Sequence, residues 1–199
     1  MKIKGIIVDV GGVLVREVDK SARKPWQTKL HLTHRELTRE VYRTGKGSLA
    51  TIGKVNPEEI WLDIKKKFNL TEKEITELKE DFFAGNQLNQ EFYSFIQELH
   101  NQYKTAILSN AWPGFRETYT HKYHLDKIVD QMILSDEVGM RKPNKTIFRL
   151  ALQRINLKAE EVIYIDDRPD NIRTAQDLGM HVVLFVHTKM TIEKIKRLL

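Results

Sequence analysis

The sequence predicts an α/β fold: a doubly wound parallel sheet, helices on both faces, with a helical bundle inserted early. Three observations carry that expectation. Five short apolar segments alternate with helical patterns along most of the chain, the order expected of strand–helix–strand units. Four of those segments run into small polar or acidic residues. Between Val15 and Leu88 lie about seventy residues without a strand pattern, against roughly 2–6 in an ordinary strand-to-helix connection.

The strands are expected at Ile3–Val8, Thr105–Leu108, Met132–Leu134, Val162–Ile165 and Val182–Val186. Most are near-continuous Val/Ile/Leu runs, as in a parallel sheet covered on both faces. Phe92, Phe95, Ile96 and Leu99 form one helical stripe, and Ile147, Phe148, Ala151, Leu152 and Ile155 another;. Ile172, Ala175 and Leu178 form a third, stopped by Gly179 at a C-cap position;. Right-handed crossovers then place helices on both faces.

The long insertion reads as helices. Thr33 with Glu36 predicts a capping box opening a helix through Tyr42;. Pro57-Glu58-Glu59 opens a second, carrying Ile60, Trp61, Ile64 and Phe68;. Thr71 to Glu74 opens a third, with Ile75, Leu78 and Phe82. Gly45, Gly47 and Gly53 are expected to break the chain between them. The predicted organisation is a core of residues 1–15 plus 88–199 and a helical cap of residues 16–87. The cap would stand over the carboxyl edge of the sheet, where a lid belongs.

Composition bounds the function. The 199 residues include no cysteine, which excludes disulfides, thiolate metal sites and a Cys nucleophile. The net charge of +6 raises nucleic acid as a partner;. Its distribution argues otherwise: residues 16–54 hold ten Lys/Arg against four Asp/Glu, whereas residues 55–87 hold five against eight. The densest apolar run, Val182–Val186, falls far short of the roughly 18 residues of a membrane helix. The expectation is a cytoplasmic monomer or homodimer acting on a small molecule, with neither nucleic acid nor membrane as partner.

In open parallel sheets, ligands bind beyond the carboxyl ends of the strands. Here the first four strands lead into Asp9, Ser109-Asn110, Ser135-Asp136 and Asp166-Asp167. These residues carry a resemblance. Asp9-Val10-Gly11-Gly12-Val13-Leu14 resembles the first motif of the haloacid dehalogenase-like (HAD) superfamily, and Ile107-Leu108-Ser109-Asn110 resembles the second. Gly139-Met140-Arg141-Lys142-Pro143 resembles the third, and Ile165-Asp166-Asp167-Arg168-Pro169-Asp170-Asn171 the fourth. The motif order and the helical insertion after motif one agree with the subfamily having a small helical cap.

The resemblance implies a Rossmann-like HAD core and a Mg2+-dependent phosphatase of a small phosphorylated metabolite, a sugar phosphate among the candidates. Asp9 would be the nucleophile, forming an acyl phosphate. Asp9, the Gly11 carbonyl and Asp167 would hold Mg2+, with Asp166 an additional or supporting ligand. The Ser109 hydroxyl and the amides of Asn110 or Ala111 would bind the phosphoryl oxygens. Lys142, chosen over Arg141 by the family's Lys-Pro pairing, would neutralise phosphate and carboxylates.

Gly11 departs from the pattern. Most phosphatases of the superfamily have a second aspartate there, which protonates the leaving group and then activates water. Its loss removes a factor on the order of 10²–10⁴ unless it is replaced. It matters least for leaving groups that are already stable, as in glycosyl or acyl phosphates. Arg16, Glu17, His31, His34 or the substrate could supply the proton. Two other readings compete: a 2-haloacid dehalogenase, against which Asp166-Asp167 counts, and a non-catalytic binding protein, which Gly11 favours. Trp112, after motif two, would wall the pocket or join the core. Trp26 and Arg43 are candidate substrate contacts in the cap.

Overall fold

The computed structural model describes residues 2–42 and 44–199. Strand β1 spans Gly5–Val8, β2 Val15–Glu17, β3 Asn86–Leu88, β4 Lys104–Ser109, β5 Gln131–Leu134, β6 Val162–Asp166 and β7 His181–Leu184. Five of them form a wholly parallel sheet in the order β5-β4-β1-β6-β7. All five expected segments lie in it, with shifted ends. The last strand stops at Leu184, because Val186 stands exposed beyond the ladder.

Register positions the site. Val8 lies opposite Ile107 on β4 and Ile165 on β6. The Asp9 amide donates to the Ile165 carbonyl at 2.9 Å, extending the ladder one residue and setting Asp9 beside Asp166. Neighbouring strands are roughly 4.8 Å apart, so two carboxylates meet at the sheet's edge.

The insertion forms α1 (Lys24–Leu30), α2 (His34–Tyr42), α3 (Gly45–Ala50), α4 (Pro57–Lys67) and α5 (Glu72–Ala84). The capping box expected at Thr33 is present, and Thr71 forms a second. The Glu36 amide donates to Thr33 Oγ1 at 3.2 Å while Thr33 N donates to Glu36 Oε2 at 2.8 Å; Thr71 and Glu74 repeat the exchange at 3.3 and 2.7 Å. The sequence reading erred at two points. Gly45 and Gly47 lie inside α3 instead of breaking the chain. A β-carbon on Gly47 would sit 2.7 Å from the Tyr42 carbonyl group, so the glycine serves close packing of α3 on α2. The strandless reading also missed β2 and β3, an antiparallel pair joining the insertion's two ends with Val15 opposite Leu88. Three-residue strands are too short to show an alternation.

The remaining helices are α6 (Gln90–His100), the short α7 (Phe115–Glu117) and α8 (Ser135–Val138), α9 (Lys145–Ile155), α10 (Pro169–Asp177) and α11 (Thr188–Leu198). Side chains alternate across the sheet. Ile6 and Val8 share a core with Phe92, Ile96 and Ile195, while Ile7 shares another with Phe148, Ala151 and Ala175. A third cluster fills the insertion, with Leu37, Trp61, Leu78 and Phe82. Trp112 joins this third cluster from the end of β4: it is 2% exposed and donates from Nε1 to the Gly47 carbonyl at 3.2 Å.

Candidate active site

Asp9, Asp166 and Asp167 each offer a carboxylate oxygen, and these oxygens all lie within 4.8 Å of one another. One lysine serves the group. Lys142 Nζ stands 2.9 Å from Asp9 Oδ1 and 2.8 Å from Asp166 Oδ2, and donates to the Leu108 carbonyl at 2.7 Å. Asp166 is 0% exposed, Lys142 3% and Asp9 6%. A charged trio at that depth persists only when paired and hydrogen-bonded.

The three carboxylates are held differently. Asp166 accepts from Lys142, from Asn171 Nδ2 at 2.9 and 3.0 Å, from the Arg168 amide at 2.8 Å, and from the Tyr164 hydroxyl. Against the penalty of burial, Lys142 and these donors keep its pKa below the usual carboxylate range;. Asp9 has less support: its Oδ1 takes Lys142 and the Val10 amide at 2.7 Å. Burial pushes the Asp9 carboxyl up to about 7 despite Lys142, with Asp166 adding to the rise. Asp167 is exposed at the mouth, its pKa raised by partial burial and by Asp166. One ammonium facing three carboxylates leaves an unbalanced negative charge, the condition under which a cation is favoured.

The glycines after Asp9 have separate jobs. Gly12 has φ +82°, and a β-carbon on it would lie 2.3 Å from Asp167 Oδ2. Gly11 is exposed, and a β-carbon there would meet nothing within 4 Å. The place of the missing carboxyl is therefore open space.

The second-motif residues are brought to the same edge. Ser109 ends β4, buried, with Oγ 3.5 Å from the Tyr119 hydroxyl. The Asn110 side chain grips the Lys142 backbone, accepting from its amide at 2.9 Å and donating to its carbonyl at 3.0 Å. Asn110 thus positions the lysine's segment. The Ala111 amide, expected to face a ligand, already donates to Ser135 Oγ at 3.0 Å, which corrects that expectation.

Cap expectations fare unevenly. Trp26 is buried inside the insertion, donating from Nε1 to Asp81 at 2.7 Å, so it is no surface contact for a substrate. Arg43 lies outside the described residues. Glu17 pairs with Arg23 and His34, each at 3.1 Å. The Arg16 guanidinium sits 5.7 Å from the Phe185 ring centroid, and His31 is exposed at the end of α1. Sequence reasoning missed two hydroxyls. Tyr164 is two residues before Asp166 on the same strand face, a period-two signal present in the sequence. Tyr119 reaches Ser109 from a single π-helical turn, Thr118–Lys122, which leaves no such trace;.

Comparison with known proteins bears on the fold and the family. The chain is 27% identical over 198 residues to a drimenol cyclase from Aspergillus calidoustus, matching 96% of this chain and 35% of that protein. It thus spans about a third of the cyclase. It is also 27% identical over 187 residues to a D-ribitol-5-phosphate phosphatase from Bacteroides thetaiotaomicron, 89% of each chain. Two solved structures share the fold. One is a predicted HAD-like family hydrolase from Porphyromonas gingivalis, with TM-score 0.80, 24% identity and coverage of 100% and 98%. The other is a HAD family enzyme from B. thetaiotaomicron in complex with magnesium and inorganic phosphate, with TM-score 0.75, 18% identity and coverage of 92% and 93%. The haloacid dehalogenase-like hydrolase family model matches residues 3–179, from before β1 to just past α10. With that match laid over the four strand ends, the chain belongs to the haloacid dehalogenase-like hydrolase family.

Proposed function

We propose that this hydrolase is a Mg2+-dependent phosphatase of a small phosphorylated metabolite, working through a phosphoaspartate at Asp9 in the cytoplasm, where such metabolites are held. The observation that carries the reading is the carboxylate trio of Asp9, Asp166 and Asp167 with Lys142 as its counter-charge. Asp9 and Asp167, with the Gly11 carbonyl, would hold the cation. Asp166 is already surrounded by donors and orients Lys142. Bound Mg2+ would supply positive charge against the phosphoryl oxygens.

The chain's own residues do the rest. A carboxylate oxygen of Asp9 bonds to phosphorus as the bond to the leaving oxygen breaks. Ser109 donates to a phosphoryl oxygen and Lys142 balances its charge. Water then attacks the phosphoaspartate, the Asp9–phosphorus link breaks, and phosphate and a proton depart. Residues 16–87 act as the cap, tied to the core through Trp112 and Gly47. The magnesium and phosphate in the B. thetaiotaomicron relative and the sugar-alcohol phosphate of the ribitol phosphatase support this substrate class.

The test is phosphate release from a panel of metabolite phosphates with Mg2+ and with EDTA. Turnover with Mg2+, lost in EDTA and in Asp9→Asn, is expected. Turnover unaffected by EDTA would overturn the proposal. Gly11 favours a second reading, a phosphate-binding protein without turnover, which would show binding of inorganic phosphate and no release from any substrate.

A further inference from the structure

Three buried tyrosines, Tyr93, Tyr119 and Tyr123, share the core cluster of Ile6 and Val8. Two of their hydroxyls reach backbone acceptors: Tyr93 donates to the His124 carbonyl at 3.1 Å and Tyr123 to the Asn86 carbonyl at 3.3 Å. Tyr119 differs. Among the described residues, its hydroxyl and that of Ser109 have only each other, at 3.5 Å, longer than the roughly 2.5–3.0 Å of a well-made O–H···O bond. Yet Tyr119 is 7% exposed and Ser109 2%, a depth at which hydroxyls are ordinarily satisfied;. Their spacing suits a shared acceptor: an oxygen about 2.7 Å from each closes a triangle on that base. Burial, with the Asp9 charge adding to it, holds the Tyr119 phenol above its ordinary range, so the proton stays on the oxygen;. The ring is aimed there by the π-helical turn at Thr118–Lys122, a distortion frequent at functional sites, and packs on Phe115 with centroids 5.8 Å apart;. The expected donors of this pocket are meanwhile committed, the Ala111 amide to Ser135 and the Asn110 side chain to the Lys142 backbone.

We propose that Tyr119 is a second hydroxyl of the phosphoryl pocket, donating together with Ser109 to one phosphoryl oxygen. The inference rests on the phosphatase reading above, which puts the phosphate between Asp9 and Ser109. Each hydroxyl then gains the acceptor that the protein itself withholds. A hydrogen bond from a neutral donor to a charged oxygen is worth more than one between neutral groups, and more again at this depth. The tyrosine contributes no charge, so Lys142 and the cation still balance the phosphate while Ser109 and Tyr119 fix its orientation.

The test titrates inorganic phosphate by calorimetry into the full chain with Mg2+, as wild type, Tyr119→Phe and Ser109→Ala. Each variant should bind phosphate about tenfold or more weakly, and kcat/KM for 4-nitrophenyl phosphate should fall in step. Tyr119→Phe keeps the ring in its packing, so its affinity for Mg2+ alone should match that of the wild type. Unchanged phosphate affinity in Tyr119→Phe would overturn the inference. Loss of Mg2+ affinity alongside phosphate would overturn it too, by marking the hydroxyl as part of the fold. Phosphate binding weakened in Tyr119→Phe, with no metabolite phosphate cleaved by the wild type, would end the phosphatase reading and leave this pocket standing. A wild type that neither binds phosphate nor cleaves any probe would end both.

Discussion

Gly12 and Asp167 cannot both keep their present places if residue 12 carries a side chain: a β-carbon there would lie 2.3 Å from Asp167 Oδ2. Asp167 is exposed and its carboxylate is free to swing, so the steric conflict is relieved cheaply in the fold and expensively in the site. Gly12→Ala also places alanine at φ +82°, a strain on the order of 1 kcal/mol. The expected outcome is a small drop in stability and at least about a tenfold loss of Mg2+ affinity by calorimetric titration. Unchanged affinity would show that Asp167 does not hold the cation.

Lys142 is the single cation between two buried carboxylates, and its removal leaves both without it. Breaking a buried pair from one side destabilises by about 3–5 kcal/mol. Lys142→Met should therefore lower the urea midpoint sharply in EDTA. Combining it with Asp9→Asn should recover part of the loss, since one of the stranded charges is gone. A double variant no more stable than Lys142→Met would place the effect in packing.

Much of this arrangement was legible in the chain itself, and the reasons are physical. Continuous Val/Ile/Leu runs mark buried parallel strands, and the residue following each run must emerge at the carboxyl edge, so Asp9, Ser109 and Asp166 were readable as neighbours. The capping box at Thr33 and the helix start at Thr71 are local in sequence and equally visible. What stayed hidden depends on packing. The Ala111 amide looks free until Ser135 arrives from another strand. Trp112 faces the insertion through packing on Tyr42 and a Gly47 carbonyl within 3.2 Å, contacts that no local pattern announces. Tyr119 requires an irregular turn to reach Ser109.

The Trp112–Gly47 bond crosses from the second-motif loop to the insertion, and at the end of α3 Arg141 makes a second crossing, donating to Thr51 Oγ1 at 3.3 Å. Trp112→Phe keeps an aromatic ring in the cluster and removes the donor. A net loss of about 1 kcal/mol is expected, with kcat/KM reduced more than stability alone accounts for. Equal kcat/KM in the variant would show that the tie is structural only.

Acid should loosen the insertion at Glu74. Lys29 first, then the Thr71 amide and hydroxyl, hold the Glu74 carboxyl down to about 2 from an ordinary 4.5. A carboxylate depressed in the fold adds stability that is complete above its unfolded value and disappears as pH falls through the folded one. The difference in Tm between wild type and Glu74→Gln should be constant above pH about 5 and close between about 4.5 and 2. A difference that persists at the acid end would assign it to the shape of the cap rather than its charge.

Kinetics should betray the carboxyl missing at Gly11. With a good leaving group, phosphorylation of Asp9 needs no acid, but hydrolysis of the phosphoaspartate still needs water to be deprotonated. No carboxylate stands two residues beyond Asp9 to accept that proton, so under the proposed mechanism the second step should be the slower. Rapid mixing with 4-nitrophenyl phosphate and Mg2+ should release about one nitrophenolate per protein in a burst before a slower steady rate. Acid quenching during that phase should trap covalent phosphate, absent in Asp9→Asn. Gly11→Asp should erase the burst by speeding the second step about 10². A linear trace from the first turnover, with no trapped phosphate, would mean that water is activated by some other group and that dephosphorylation keeps pace without the missing carboxyl.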